Sequence, residues 1–443
     1  MIIDSIETAN RREIRSLQQN RLKKTAERVY QRVPFYRKKF FESGINPEKN
    51  LSLDDLADLP FTKKSDLRKA YPFGLLAVPK SELVRLHASS GTSGKPTVVG
   101  YTKHDIEMWS EIVARSIATA GGKPGEILHN AYGYGLFTGG LGLHYGSERL
   151  GMVTVPISGG NTQRQIMLIE DFQPAVICGT PSYVLNIAET MEEMGKNPAA
   201  TSLRYGILGA EPWSEEMRRT IEEKLAIKAC DIYGLSEVIG PGVAIECHEE
   251  QNGLHIAEDH FYAEVIDPET LEPVADGEDG ELVLTSLTKE AFPVIRYRTG
   301  DIASLNKEKC RCGRTTARMS RIKGRIDDML NVNGVNVFPS EIEHCILKMK
   351  EMAPHYQIHM LQKRSFKVLE LHVEITEDCY KAIGFDLTHD RIRQLEQNLK
   401  AALKSSCLIA MDTVIREPKS IPRSEGKAVR IIDRRNEQGN FAL

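Results

Sequence analysis

No stretch of this 443-residue chain is long and apolar enough to cross a membrane. The longest run free of charge, residues 127–147, holds six glycines together with His129, Asn130 and His144. It reads as a glycine-rich, buried strand–loop–helix segment. No apolar signal core can form near the first residues, because Asp4, Glu7 and Glu13 interrupt it. Neither sign of charge is in large excess: 58 Lys+Arg against 61 Asp+Glu leave a net charge of −3. That balance argues against a surface built to grip nucleic acid. Internal repeats and low-complexity tracts are missing as well. Eight cysteines in so long a chain, without a secretory signal, imply reduced thiols, metal ligands or core packing rather than a disulfide scaffold. These absences together predict a globular protein of two or three units, cytoplasmic, with neither a membrane nor a nucleic acid as partner.

What is present alternates. Residues 1–80 read as helical and basic, with Leu17, Leu22, Ala26 and Val29 as one apolar stripe. From about 84 to 320, short β-rich runs (152–157, 175–179, 205–210 and 228–234) alternate with helical pieces at 162–172 and 214–225, the second N-capped by Ser214. That rhythm predicts an α/β fold with largely parallel pairing. Between 260 and 300 the runs FYAEVID, ELVLTSL and FPVIRYR predict antiparallel β structure. A junction follows at 321–343, where Ser340 and Glu343 have capping-box spacing for a helix burying Ile342, Cys345, Ile346 and Met349. A strand at 368–375 and a helix marked by Ile392, Leu395, Leu399 and Leu403 complete a small α+β unit of about 115 residues.

Three local constellations could carry chemistry. HASSGTSGKPTVVGYT (87–102) strings hydroxyls, glycines and Lys95 between two β runs, so that backbone N–H groups could approach a polyanion. Its spacing is not that of a Walker A loop, and a flexible Ser/Gly loop is the plain alternative. YGLSE (233–237) brings a phenol, a hydroxyl and a carboxylate to a strand end, and Glu237 could hold Mg²⁺ through oxygen. RYRTGD (296–301) ends in Asp301, which could accept hydrogen bonds from two ribose hydroxyls or form a salt bridge with Arg298.

In this order, followed by GRIDDML and Gly426–Lys427, the motifs resemble the adenylate-forming superfamily over residues 84–433. NAYGYGLFTGGLGLHYG, DIYGLSE, HIAEDHFYAEVIDPET, GVNVFPSEIE and IPRSEGKAVRIIDRR narrow the resemblance to the phenylacetate–CoA ligase family. It implies a large N-terminal domain, 1–326, with β-sheets and flanking helices, and a small, mobile α+β lid domain, 327–443. ATP-dependent joining of an aryl acid to coenzyme A through an acyl-adenylate is the implied activity, with ATP, Mg²⁺ and coenzyme A as cofactors and a homodimer as the implied assembly. Ser89, Ser90, Gly91, Thr92, Ser93, Gly94 and Lys95 would embrace the β- and γ-phosphates. Gly209, Ala210, Glu211 and Pro212 would frame the adenine. Asp231, Tyr233, Gly234 and Ser236 would lie near the adenine and α-phosphate, and Asp301 would hold the ribose. Glu237 would bind Mg²⁺, Arg325 would reach the phosphates, and Lys427 would meet the α-phosphate and carboxylate oxygens. Asp327 would be the hinge. Tyr132, Tyr134, Phe137 and Gly139 would line the acid pocket, where small residues beside aromatic faces suit a flat acid. Transfer to a carrier or amine instead of coenzyme A is the alternative within the superfamily. A zinc module binding nucleic acid is a third, distant alternative.

CRCGR (310–314) offers Cys310 and Cys312 as half of a tetrahedral Zn²⁺ site. Cys247 and His255 could complete it from either side of HEEQNG, whose Asn-Gly predicts a hairpin, with His248 as second choice for the histidine. Such a closed site would be structural. Cys178, Cys230 and Cys345 are expected in the core, and His344, His355 and His359 have no evident partner.

Overall fold

The computed structural model describes residues 1–49, 51–89, 96–326, 329–332, 335–363, 366–407 and 409–435. Among them, helix Arg11–Arg32 opens the chain behind a reciprocal cap: Asn10 accepts from the Glu13 N–H, and the Glu13 carboxylate accepts from the Asn10 N–H. Its buried stripe is Ile14, Gln18, Leu22, Ala26 and Val29. Leu17, expected there, is only half-buried, because Gln18 turns inward to donate to the Glu258 carbonyl at 2.9 Å. Two of its arginines pair with the rest of the chain: Arg11 clasps Glu258 at 2.5 and 2.8 Å, and Arg28 reaches Glu290 at 2.9 Å.

A nine-stranded sheet forms the centre. Val153–Val155, Ile127–Asn130, Val176–Gly179, Tyr205–Gly209 and Lys228–Leu235 pair in parallel in that order. Gly240–Glu246, Leu254–Ile256, Arg318–Met319 and Leu305–Asn306 continue it antiparallel. The parallel strands are apolar runs because helices cover both faces. Helix Thr162–Phe172 has the expected bounds, and Ser214 caps Glu215–Leu225 by accepting the Met217 N–H at 3.2 Å. A second sheet, of four antiparallel strands, joins Phe261–Ile266, Gly280–Ser286, Tyr297–Ala303 and Gly324–Arg325. The run expected as a strand from Phe292 begins only at Tyr297, because Arg296 adopts φ 44° and breaks the extended line.

The small unit packs helices Pro339–Leu347 and Asp390–Cys407 on one face of a four-stranded sheet, ordered Asp412–Arg416, Phe366–Ile375, Met352–Lys363, Ile431–Asp433. Its core of Ile342, Ile346, Ile358, Leu371, Leu399 and Leu403 is separate from the large unit's. Each such side chain contributes about 1.5–3 kcal/mol by leaving water. The capping box expected from Ser340 and Glu343 does not form. Pro339, with its preset φ, already starts the helix, and Glu341 accepts the Phe338 N–H at 3.3 Å. Ser340 instead donates to the Lys323 carbonyl, and Glu343 accepts from the Ser214 N–H and the Tyr356 hydroxyl. Glu343 therefore ties the small unit to the large one.

Candidate active site

The carboxyl ends of the parallel strands open on one edge of the central sheet, the place where α/β folds hold ligands. Lys228–Leu235 delivers Tyr233, Gly234, Ser236 and Glu237 there. Gly234 is required: a Cβ would sit 1.9 Å from the Gly240 carbonyl oxygen of the returning strand. Tyr233 donates its hydroxyl to Asp301 at 2.6 Å, and Arg325 Nε stands 3.3 Å from the other Asp301 oxygen. Burial, and then the adjacent Asp301 charge, push the Tyr233 phenol well above its ordinary value, so it remains a donor throughout the physiological range. Arg298, the alternative partner for Asp301, pairs with Glu281 instead.

Glu237 is buried, with Lys64 Nζ at 3.9 Å, and Ser236 meets the Thr138 hydroxyl at 3.2 Å. Lys289 lies wholly inside, its ammonium 4.6 Å from the Tyr101 ring centroid, and burial pulls it down to about 8. Nothing local in the sequence singles out Lys64 or Lys289. Asp231 faces Arg321 at 3.3 Å. Of the expected phosphate loop, Ser89 is described, its N–H bonded to the Thr97 carbonyl; Ser90, Gly91, Thr92, Ser93, Gly94 and Lys95 lie outside the described residues, as does Asp327.

The 127–147 segment folds as strand, loop and helix, as its composition implies. Tyr132 is buried, and the Tyr134 hydroxyl accepts from Asn130 at 2.8 Å. Gly139 packs so closely under Phe137 that a Cβ would lie 2.4 Å from the ring. Lys427, carried by the small unit, brings Nζ to 5.6 Å from the centroid of the Phe137 ring. Its loop is docked: Thr180 and Ser182 donate to the Gly426 carbonyl at 2.8 and 3.3 Å, and the Ala428 N–H donates to Glu211 at 2.9 Å. Sequence reasoning placed Glu211 beside a base and missed this contact, which spans 217 residues.

A second constellation lies at the far end of the Gly240–Glu246 strand. Cys247, His255, Cys310 and Cys312 bring their ligand atoms within 4.8 Å of one another. Cys247 and Cys310 sulfurs are 3.8 Å apart, and Cys312 Sγ is 3.5 Å from His255 Nε2. Tetrahedral zinc, with bonds of about 2.3 Å to sulfur and about 2.0 Å to nitrogen, has edges of about 3.8 and 3.5 Å. His255 Nδ1 is held by the Thr316 hydroxyl at 3.1 Å, fixing the ring. Contacts from Cys247, then His255, pull the Cys312 thiol far down, toward the thiolate a metal requires. The donor set fits zinc. His248 turns away to Glu249, at 2.7 Å, and takes no part. The ribbon expected around Asn-Gly forms, but through a longer loop with positive φ at Gln251 and Gly253.

The other histidines do have partners: His344 meets Glu216 at 3.3 Å and His355 meets Glu189 at 3.0 Å, both across the two units. His359 stacks on His372 at 3.9 Å, with Glu370 alongside. Their ligand atoms lie within 4.8 Å of one another, but both His372 nitrogens are already engaged, Nε2 by Glu370 at 2.6 Å and Nδ1 by Arg416, which donates at 3.0 Å.

Residues 6–288 match the AMP-binding enzyme family, and 334–435 match the AMP-binding enzyme C-terminal domain. A phenylacetate–coenzyme A ligase of Escherichia coli is 52% identical over 435 residues, 98% of each chain. One from Thermus thermophilus is 51% identical over 438 residues, 97% of this chain and 98% of its own. A crystal structure of 2-hydroxyisobutyryl-CoA ligase in the postadenylation state, 28% identical, superposes with a TM-score of 0.90 over 98% of this chain and 92% of its own. The same ligase in the thioesterification state, 29% identical, gives 0.72 over 97% and 91%.

Proposed function

The chain belongs to the AMP-binding enzymes and, among them, to the phenylacetate–coenzyme A ligase family, and we propose that it joins an aryl carboxylic acid, phenylacetate foremost, to coenzyme A. The acid's carboxylate attacks the α-phosphorus of ATP and expels pyrophosphate; the thiol then attacks the acyl carbon of the adenylate and expels AMP. The observation that carries this reading is the approach of Lys427 to the aromatic segment beside the strand end bearing Tyr233, Ser236 and Glu237. The first step brings anion onto anion, so a positioned ammonium and backbone donors must do most of the work.

In this reading Lys427 faces the α-phosphate and acid carboxylate, while Asp301 accepts from the ribose hydroxyls with Tyr233 and Arg325 fixing its orientation. The backbone of Gly209 to Pro212 frames the adenine, and Ser89 to Lys95 hold the outer phosphates. Glu237 is the residue that would hold Mg²⁺, which when bound offsets phosphate charge. Tyr132, Tyr134, Phe137 and Gly139 border a flat acid. Asp327 is the proposed hinge between 1–326 and 327–443, since two half-reactions with different geometry require the lysine to leave before the thiol enters. The higher TM-score with the postadenylation state supports assigning the present arrangement to the adenylation side of the cycle.

One structural zinc per chain, held by Cys247, His255, Cys310 and Cys312, belongs to the same proposal. No helix among the described residues is long and apolar enough to span a membrane. All eight cysteines are free, which favours the reducing cytoplasm. A homodimer is part of the proposal and is tested by sedimentation, where a mass of one chain, 49.7 kDa, would remove it. The principal test is Lys427→Ala. Acid-dependent exchange of pyrophosphate into ATP should disappear, while thioester formation from supplied acyl-adenylate continues. Equal loss in both half-reactions would mean that Lys427 has another role.

A further inference from the structure

The loop bearing Lys427 is not merely close to the large unit; it is held at its backbone on both sides of the lysine. Before Lys427, the Gly426 carbonyl accepts from Thr180 and Ser182 hydroxyls at 2.8 and 3.3 Å. After it, the Ala428 N–H donates to one Glu211 oxygen at 2.9 Å. The other Glu211 oxygen accepts the Ser182 N–H at 2.8 Å, at the start of helix Pro181–Glu193. Helix N-termini favour a carboxylate, which anchors the Glu211 side chain on the large unit. Ala210, at φ 70°, turns the chain just before it. The docking face leaves little room: a Cβ on Gly159 would lie 2.8 Å from the Glu425 carbonyl oxygen.

We propose that Glu211 is a positioning residue, a latch whose two oxygens bridge the Ser182 and Ala428 N–H groups and so aim Lys427 during adenylation. The proposal rests on the role given to Lys427 above. Both partners of Glu211 are donors, so each carboxylate oxygen must accept. Glutamine keeps the shape but offers one acceptor and one donor, and its NH₂ would face an N–H. The latch must open before the thiol reacts, because the lid turns between the half-reactions. Its loss therefore falls on the first half-reaction alone. A side chain that only framed the adenine would act on both, since ATP and the adenylate carry the same base.

The test uses Glu211→Gln, Thr180→Val and Lys427→Ala in the full chain, with melting temperature as a check on folding. Pyrophosphate exchange and thioester formation from supplied phenylacetyl-adenylate are measured separately. The expected result for Glu211→Gln is a fall in kcat for exchange of about tenfold, one charge-assisted hydrogen bond, or about 1.4 kcal/mol. KM for ATP and the rate of thioester formation stay at wild-type values. Thr180→Val, which removes the bond to Gly426 without touching Glu211, lowers exchange in the same direction. A rise in KM for both ATP and the adenylate would assign Glu211 to the base and overturn the latch. Wild-type exchange in Glu211→Gln, with Lys427→Ala inactive, would overturn the latch alone. Full exchange in Lys427→Ala would overturn the latch together with the lysine's role.

Discussion

Replacing Cys312 by serine tests the zinc site at its most demanding ligand. The observed sulfur–sulfur and sulfur–nitrogen separations, 3.8 and 3.5 Å, match two edges of a tetrahedron around zinc, and the serine oxygen is both shorter and a poor zinc donor. The site sits where the 310–316 loop meets the first residues of the chain. Arg314 donates to Cys312 at 3.6 Å and to Glu7 at 2.8 Å, and the Thr315 N–H bonds the Glu7 carbonyl. Losing the metal thus loosens the 310–316 loop and the first turn of the chain together. A ligand present at a thousandfold its dissociation constant stabilises the folded state by about 4 kcal/mol. The Gly240–Glu246 strand separates the cluster from the active-site end of the sheet by on the order of 20 Å at ~3.4 Å per residue. Cys312→Ser should therefore reduce zinc from one per chain to none and lower the melting temperature, and chelation of the wild type should do the same. The kcat of the remaining folded enzyme should not change. Elemental analysis and calorimetry with and without chelator measure this. Wild-type protein that carries no zinc, and whose melting point ignores both chelator and Cys312→Ser, would refute the reasoning.

Two further outcomes are expected. Tyr233→Phe removes a buried hydrogen bond to a carboxylate, about 1.5–3 kcal/mol, and should raise KM for ATP about tenfold or more, with the KM for coenzyme A untouched; steady-state kinetics would expose an unchanged ATP KM. Lys289, held down to about 8 by burial against an ordinary 10.5, is protonated in both folded and unfolded states at neutral pH. Between about 8 and 10.5 only the unfolded state keeps the proton, so stability rises with pH by about 3 kcal/mol across that window. Lys289→Met should be more stable than wild type at pH 7 and should lack that rise. Parallel pH profiles of urea unfolding for the two proteins would contradict it.

Much of the fold was legible because its cues are local. The 162–172 helix, the Ser214 cap and the short apolar strands depend on neighbours within one or two turns of chain, and the structure keeps them. The boundary at Pro339 was misread because two capping patterns overlap, and proline decided between them. Cys310 and Cys312 announced themselves by spacing, and the turn signal after Cys247 favoured His255 over His248. The contacts that Glu211, Glu343 and His355 make across the two units, with Ala428, Ser214 and Glu189, could not be read, since each spans more than a hundred residues of sequence. Lys289 was equally silent, because a lysine in TSLTKEAF carries no mark of its burial. Side chains that join the two units depend on how the units meet, which periodicity does not encode.

The central claim is the reaction itself. Purified protein incubated with ATP, Mg²⁺, coenzyme A and phenylacetate, with products identified by mass spectrometry, tests it most directly. The account expects phenylacetyl-CoA and AMP in equal amounts, neither forming when the acid is omitted. ADP in place of AMP, or no thioester from phenylacetate or any other aryl acid supplied, would contradict it.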